Sequence, residues 1–190
     1  IDYLGESDGW PAKGWNKGVF DISLEPKPQA YLLKSIFSAE PTVHIGIVES
    51  DRQLEWNGAQ VGTMGMSEIW NRPEGSQVDL YTYTNADEVE LLLNGKSLGV
   101  KQNSDKAQDR CKIRWNKVSY QPGRLEAIAR TGGKIVARHT IETTGEAVSL
   151  AAQPDNDAWL SDGTDLQHVR ITALDKRGRR VRTAQGMVHF

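Results

Sequence analysis

Residues 88–101 read EVELLLNGKSLGVK, and the fold turns on this stretch. Val89, Leu91 and Leu93 alternate with Glu90 and Leu92, a period of two that places three apolar side chains on one face of a strand. Asn94-Gly95 follows, the dipeptide that best tolerates the positive φ angles of a two-residue hairpin. The chain must then run back through Lys96–Lys101 as a second strand. A β-hairpin with one buried face is predicted.

The same pattern recurs on both sides. Upstream, SQVDLYTYT (76–84) and VHIGIV (43–48) are strand candidates, with DRQLEWNGAQ (51–60) read as a polar bridge between them. Downstream, CKIRWNKV (111–118) and GRLEAIAR (123–130) are expected to pair through Gln121-Pro122-Gly123. TGGKIVARHTIET (131–143) adds a hairpin at Gly132-Gly133, with Ile135, Ala137, His139 and Ile141 alternating. Short strands at regular spacing with turn signals between them indicate an immunoglobulin-like β-sandwich over residues 49–144.

Beyond it the pattern restarts. VSLAAQPD (148–155), DLQHVRITALD (165–175) and RRVRTAQGMVHF (179–190) suggest three strands, with turns at Asp162-Gly163 and Arg177-Gly178. A full sandwich of this type needs about seven strands over ~100 residues, so 145–190 is expected to be the first half of a second immunoglobulin-like domain. Residues 1–48 read differently, as α/β material. In PKPQAYLLKSIFSAEP (26–41), Pro28 suits a first helical turn, and Ala30, Leu33 and Phe37, flanked by Leu32 and Ile36, form an apolar stripe. One helix and a short strand at Ile1–Leu4 bury no core alone, so this segment is expected to belong to a larger body and the chain to be cut at its start.

Composition excludes several classes. With 23 basic and 25 acidic residues the net charge is -2, which does not favour nucleic acid. No apolar run approaches the ~18–20 residues of a membrane helix. Cys111 is the lone cysteine, so no internal disulfide forms, and no neighbouring His marks it as a nucleophile. His44, His139, His168 and His189 are far apart in sequence, each within an alternating strand, so neither a metal nor another cofactor is expected. KRGRRVR (176–182) is read as a solvated hairpin tip. Neither cysteine usage nor the start of the chain fixes a compartment, leaving the periplasm or cell exterior open.

Two groups of residues invite a sugar-related reading. Asp2, Glu6 and Asp8 are carboxylates beside a Gly-rich loop, as the acid/base pairs of glycosidases are carboxylates; turn formation is the plainer use of such residues. Trp10 and Trp15 lie in a loop leaving a strand, where an aromatic ring can stack on a sugar or cap a core. Trp56, Trp70, Trp115 and Trp159 are scattered over the β region, where core positions are the default. No complete active site is present.

IDYLGE (1–6), WPAKGW (10–15) and GVFDISLEPKPQAYLLKSIF (18–37) together resemble the last strand, loop and helix of the catalytic (β/α)8 barrel in Bacteroides-type β-galactosidases of glycoside hydrolase family two. LYTYTNADEVELLLNGKSLG, VSYQPGRLEAIAR and TGGKIVARHTIETTGEA resemble the β-sandwich that trails that barrel. LAAQPDNDAWLSDGTDLQHVRITALDKRGRRV resembles the start of the next immunoglobulin-like module. The resemblance covers essentially the whole chain, in the family's order. It implies a parent that hydrolyses terminal β-galactosides with retention, its two glutamates lying ahead of Ile1; no Asn-Glu dipeptide occurs here. It therefore implies no catalytic residue in this chain and an inactive accessory role. Asp2, Glu6 and Trp10 match the stretch that rims the pocket and are the substrate-side candidates. The implied ligand is a β-galactoside or oligosaccharide bound by the parent. Binding of glycan by the sandwich through Trp56, Trp70 or Trp115, or a purely structural or adhesion role, are the alternatives. Exposed apolar surface at the two ends is expected to promote self-association.

Overall fold

The computed structural model describes residues 18–21, 24–56, 59–158 and 160–187, with backbone alone over 50–56 and 59–64. The chain divides into two compact units, the first reaching Glu142 and the second starting at Thr143. Two four-stranded antiparallel sheets form the first. One has the order β2-β1-β3-β6, built from β1 (Val43–Trp56), β2 (Ala59–Ser67), β3 (Gln77–Thr84) and β6 (Lys112–Ser119). The other has the order β5-β4-β7-β8, from β4 (Glu88–Leu93), β5 (Lys96–Gln102), β7 (Arg124–Thr131) and β8 (Lys134–Glu142). The fold is mainly β and sandwich-like, as the alternation predicted.

The hairpin at 88–101 forms as expected. Asn94 and Gly95 adopt φ angles of 51° and 81°, and Val89, Leu91 and Leu93 are buried. They meet Ile45, Ile47, Leu80, Ile113, Leu125 and Ala127 in one continuous core between the sheets. The β7–β8 turn uses Gly132 and Gly133 at φ 56° and 74°. A register shift in β8 separates Ile135 from the inward face, leaving it exposed while Ile141 is buried.

Two local expectations are corrected. The polar stretch 51–60 is not a bridge: β1 runs on to Trp56 and β2 pairs back on it from Ala59. Alternation that mixes polar and apolar residues suits a strand with an exposed face. Residues 111–118 and 123–130 do not pair with each other either. β6 bonds to β3 and β7 to β4 and β8, so Gln121–Gly123 crosses between sheets. Tyr120 and Leu125, on either side of that connection, both enter the core.

Helix α1 (Pro28–Phe37) packs on β1 and β3. Pro28 opens it, and its buried side is Pro28, Ala30 and Ser35, the Ser35 hydroxyl donating to the Tyr31 carbonyl at 2.8 Å. The opposite face is bare: Leu33, Ile36 and Phe37 are exposed, Phe37 by 82%. Asn85 fastens the helix exit to the sheet, accepting from the Thr42 N–H at 2.9 Å and donating to the carbonyls of Ser38 and Glu40. No described helix is long and apolar enough to cross a membrane.

In the second unit β9 (Ser149–Pro154) and β10 (Val169–Leu174) form a two-stranded sheet. The third strand expected at 179–190 is reduced, among the described residues, to a single bridge between Leu174 and Arg180. Asp175 causes this. Its carboxylate accepts from the backbone N–H groups of Gly145, Arg177 and Arg179 and from the Arg179 side chain, curling the basic run into a tight turn. Those bonds, Arg179's first, hold the Asp175 carboxyl well below the usual carboxylate range. The exposed Lys176, Arg177 and Gly178 form its tip.

Candidate functional site

The substrate-side candidates Asp2, Glu6 and Trp10, together with Asp8 and Trp15, lie outside the described residues, as do Trp159 and His189. Trp70 and Trp115 are core residues. Trp70 is fully buried with Tyr120 edge-on at 5.2 Å, and the Trp115 indole N–H donates to Thr82 Oγ1 at 3.0 Å. Trp70 presents no face on which a sugar could stack, and the face of Trp115 is covered by Lys101. Cys111 is buried, its Sγ against the Ser35 carbonyl at 3.6 Å.

Two of the histidines, distant in sequence, meet in the fold. His44 of β1 and His139 of β8 come from different sheets, yet their ring centroids lie 3.9 Å apart. Glu68, just after β2, brings Oε1 to 2.5 Å from His44 Nε2, and Tyr31 of α1 stacks on the other side of His44 at 3.4 Å. Nitrogen and carboxylate ligand atoms of His44, Glu68 and His139 all lie within 4.8 Å of one another. Tertiary packing alone creates this cluster, because residue spacing gives no sign of strands that meet across a sandwich. His168 lies outside the cluster, just ahead of β10, and its side chain is exposed.

The geometry limits what the cluster does. His139 Nδ1 accepts the Ile45 N–H at 3.1 Å, which puts the neutral ring's proton on Nε2 and removes the lone pair a metal would need there. Burial, reinforced by the charge of His44, pushes His139 down to about 3. The imidazole is thus a neutral acceptor, holding β1 to β8, while Glu68 lies against His44. The arrangement is a polar clasp through the sandwich rather than a metal centre.

Beyond it, Glu49 binds Arg72 and Ser67, the Arg72 hydrogen bond holding its carboxyl below the ordinary value. This pair fixes the segment between β2 and β3. Among the residues described, polar groups thus secure the sandwich and its connections.

Comparison places this architecture. The fold defines an antiparallel β-sandwich module with a helix laid on one sheet. Residues 75–137 match a family described as a domain of unknown function (DUF4982). The whole chain aligns at 35% identity with 20% of the length of a β-galactosidase, BoGH2A, from Bacteroides ovatus. A β-glucuronidase from Formosa agariphila aligns at 28% identity over 91% of this chain and 15% of its own length. In structure the chain resembles a glycosyl hydrolase family 2 member from Bacteroides cellulosilyticus with TM-score 0.81 and 28% identity, covering 94% of this chain and 25% of that one. The chain is thus similar to part of glycoside hydrolase family 2 enzymes, spanning about a fifth of the length of the β-galactosidase it matches.

Proposed function

We propose that the chain is a non-catalytic accessory region of a retaining β-galactosidase, built to lie against the catalytic barrel. In this reading the stretch ahead of β1 supplies the barrel's last strand, loop and helix, and β1 to β8 the sandwich that braces it. The boundary expected between residues 48 and 49 thus moves to the start of β1, whose Ile45 and Ile47 are sandwich core; 145–190 is the first half of an immunoglobulin-like module. Asp2, Glu6 and Trp10 rim the pocket, and the glutamates that break the β-galactoside belong to the rest of the parent. The observation that carries the reading is full-length alignment, at 35% identity, with part of a β-galactosidase. The bare face of α1 supports it, since Leu33, Ile36 and Phe37 form an apolar surface of the kind that a neighbouring body covers.

The test is turnover of a chromogenic β-galactoside. The isolated chain is expected to give none above background, while the encoding gene's longer product hydrolyses it. Inhibitor-sensitive hydrolysis by these 190 residues alone would remove the proposal.

A further inference from the structure

We propose that the open flank of the sandwich between β5 and β6 is a binding cleft for an acidic sugar, a pyranose carrying a carboxylate. Both strands are sheet edges, β5 in one sheet and β6 in the other. Between them lies a cleft of about 520 Å³, within the range of small-molecule sites. Lys96 and Lys101 enter it from β5. They pair in register with Leu93 and Val89, so they share the face that elsewhere builds the core. Lys117 enters from β6 at a residue with φ 51°, its N–H anchored on Asp79.

Charge decides the class of ligand. Three lysines line the cleft and no carboxylate is among its lining residues; Asp79, just outside, takes the Lys117 N–H and the Arg114 guanidinium and meets part of the positive charge. Lys101 Nζ is positioned by the Arg114 carbonyl at 2.7 Å and rests 4.7 Å above the Trp115 ring, leaving N–H bonds to give. An anion finds several cationic N–H donors on one concave surface. The other walls suit a polyhydroxylated ring: Asn116 and Gln121 offer amides for hydroxyls, and the half-exposed Leu98 an apolar patch for ring C–H groups. The choice of a sugar among anions rests on the glycosidase reading above; the preference for an anion rests on the cleft alone. Inward lysines also keep an edge strand from pairing with a second chain, a role that needs no ligand.

Calorimetric titration of the 190-residue chain with D-glucuronate and di-galacturonate, against D-glucose and inorganic phosphate, separates these roles. Saturable binding of the two acids is expected, weakening as salt rises, with none for glucose and weaker binding of phosphate. Lys96→Ala with Lys101→Met should lower affinity about tenfold or more, the loss of a charge-assisted bond. Lys117→Asn should do likewise, asparagine being tolerant of the positive φ. Should the double variant unfold, Lys96→Glu alone, at an exposed site, gives the same reading. Absence of saturable binding, equal binding of glucose, equal binding of phosphate, or indifference to all the lysine variants overturns the proposal. None of these results touches the accessory reading, which stands or falls on galactoside turnover.

Discussion

His139 Nδ1 receives the backbone N–H of Ile45 at 3.1 Å, joining the two sheets of the sandwich through a side chain that must be neutral to accept it. Burial and the neighbouring His44 keep it so. The arrangement couples stability to pH in a defined direction.

The unfolded chain's His139 takes a proton near pH 6.5, the folded one only near 3. Between those values the unfolded state binds the extra proton, so this contribution is fully present above about 6.5 and fades as pH falls toward 3. Its size is on the order of a few kcal/mol. His139→Asn keeps an acceptor for Ile45 but cannot titrate. Chemical denaturation at pH 7 and at pH 4.5 should show a smaller loss in the variant than in the wild type. The carboxylates of Glu49 and Asp79, held by arginines, and of Glu90, held by Ser97 and then Arg130, weaken with acid in both proteins and cancel from the comparison. Equal losses would show that His139 carries no proton linkage.

Two buried tryptophans should respond differently to phenylalanine. Trp115→Phe removes volume and the hydrogen bond to Thr82, and should cost about 2 kcal/mol or more. Trp70 Nε1 is buried without a hydrogen-bond partner, so Trp70→Phe deletes an unpaired donor along with its volume, and a phenyl ring can keep the edge contact with Tyr120. It should cost clearly less. Urea unfolding midpoints of the two variants decide the order.

Gly123→Ala should be among the more damaging single changes. Gly123 sits at φ 132°, and an added Cβ would run into the Asn94 side-chain amide. That amide accepts the Arg124 N–H at 2.8 Å and donates to the Pro122 carbonyl at 3.0 Å, locking the crossover onto the β4–β5 turn. Strain and clash together should lower stability by about 2 kcal/mol or more. A thermal midpoint within a degree of wild type would contradict this.

The apolar face of α1 should make the chain self-associate at high concentration. Leu33→Gln with Phe37→Ser, both at exposed positions, should shift sedimentation toward monomer without lowering the unfolding midpoint. An unchanged sedimentation profile would mean that this face plays no part in association.

Much of the sandwich was legible because short-range geometry dictates it. Period-two alternation in Val89–Leu93, the positive φ demanded at Asn94-Gly95 and Gly132-Gly133, and Pro28 at a helix start are local matters. The β1–β2 hairpin was missed, although Asn57-Gly58 stands between the paired residues Trp56 and Ala59 and is itself a hairpin signal. The polar residues around it carry the composition of a loop. Candidate sugar contacts at Asp2, Glu6 and Trp10 lie outside the described residues and rest on resemblance alone.

The sequence by itself determined most of the strands and turns and which strand faces are apolar, because these depend on neighbours a few residues apart. Only the tertiary structure decided that β6 and β7 part company into different sheets, that His44 meets Glu68 and His139, and that three lysines line one flank. Those relationships join residues far apart along the chain, and nothing in local spacing records which strand ends up facing which. They are set when the two apolar faces close on a common core.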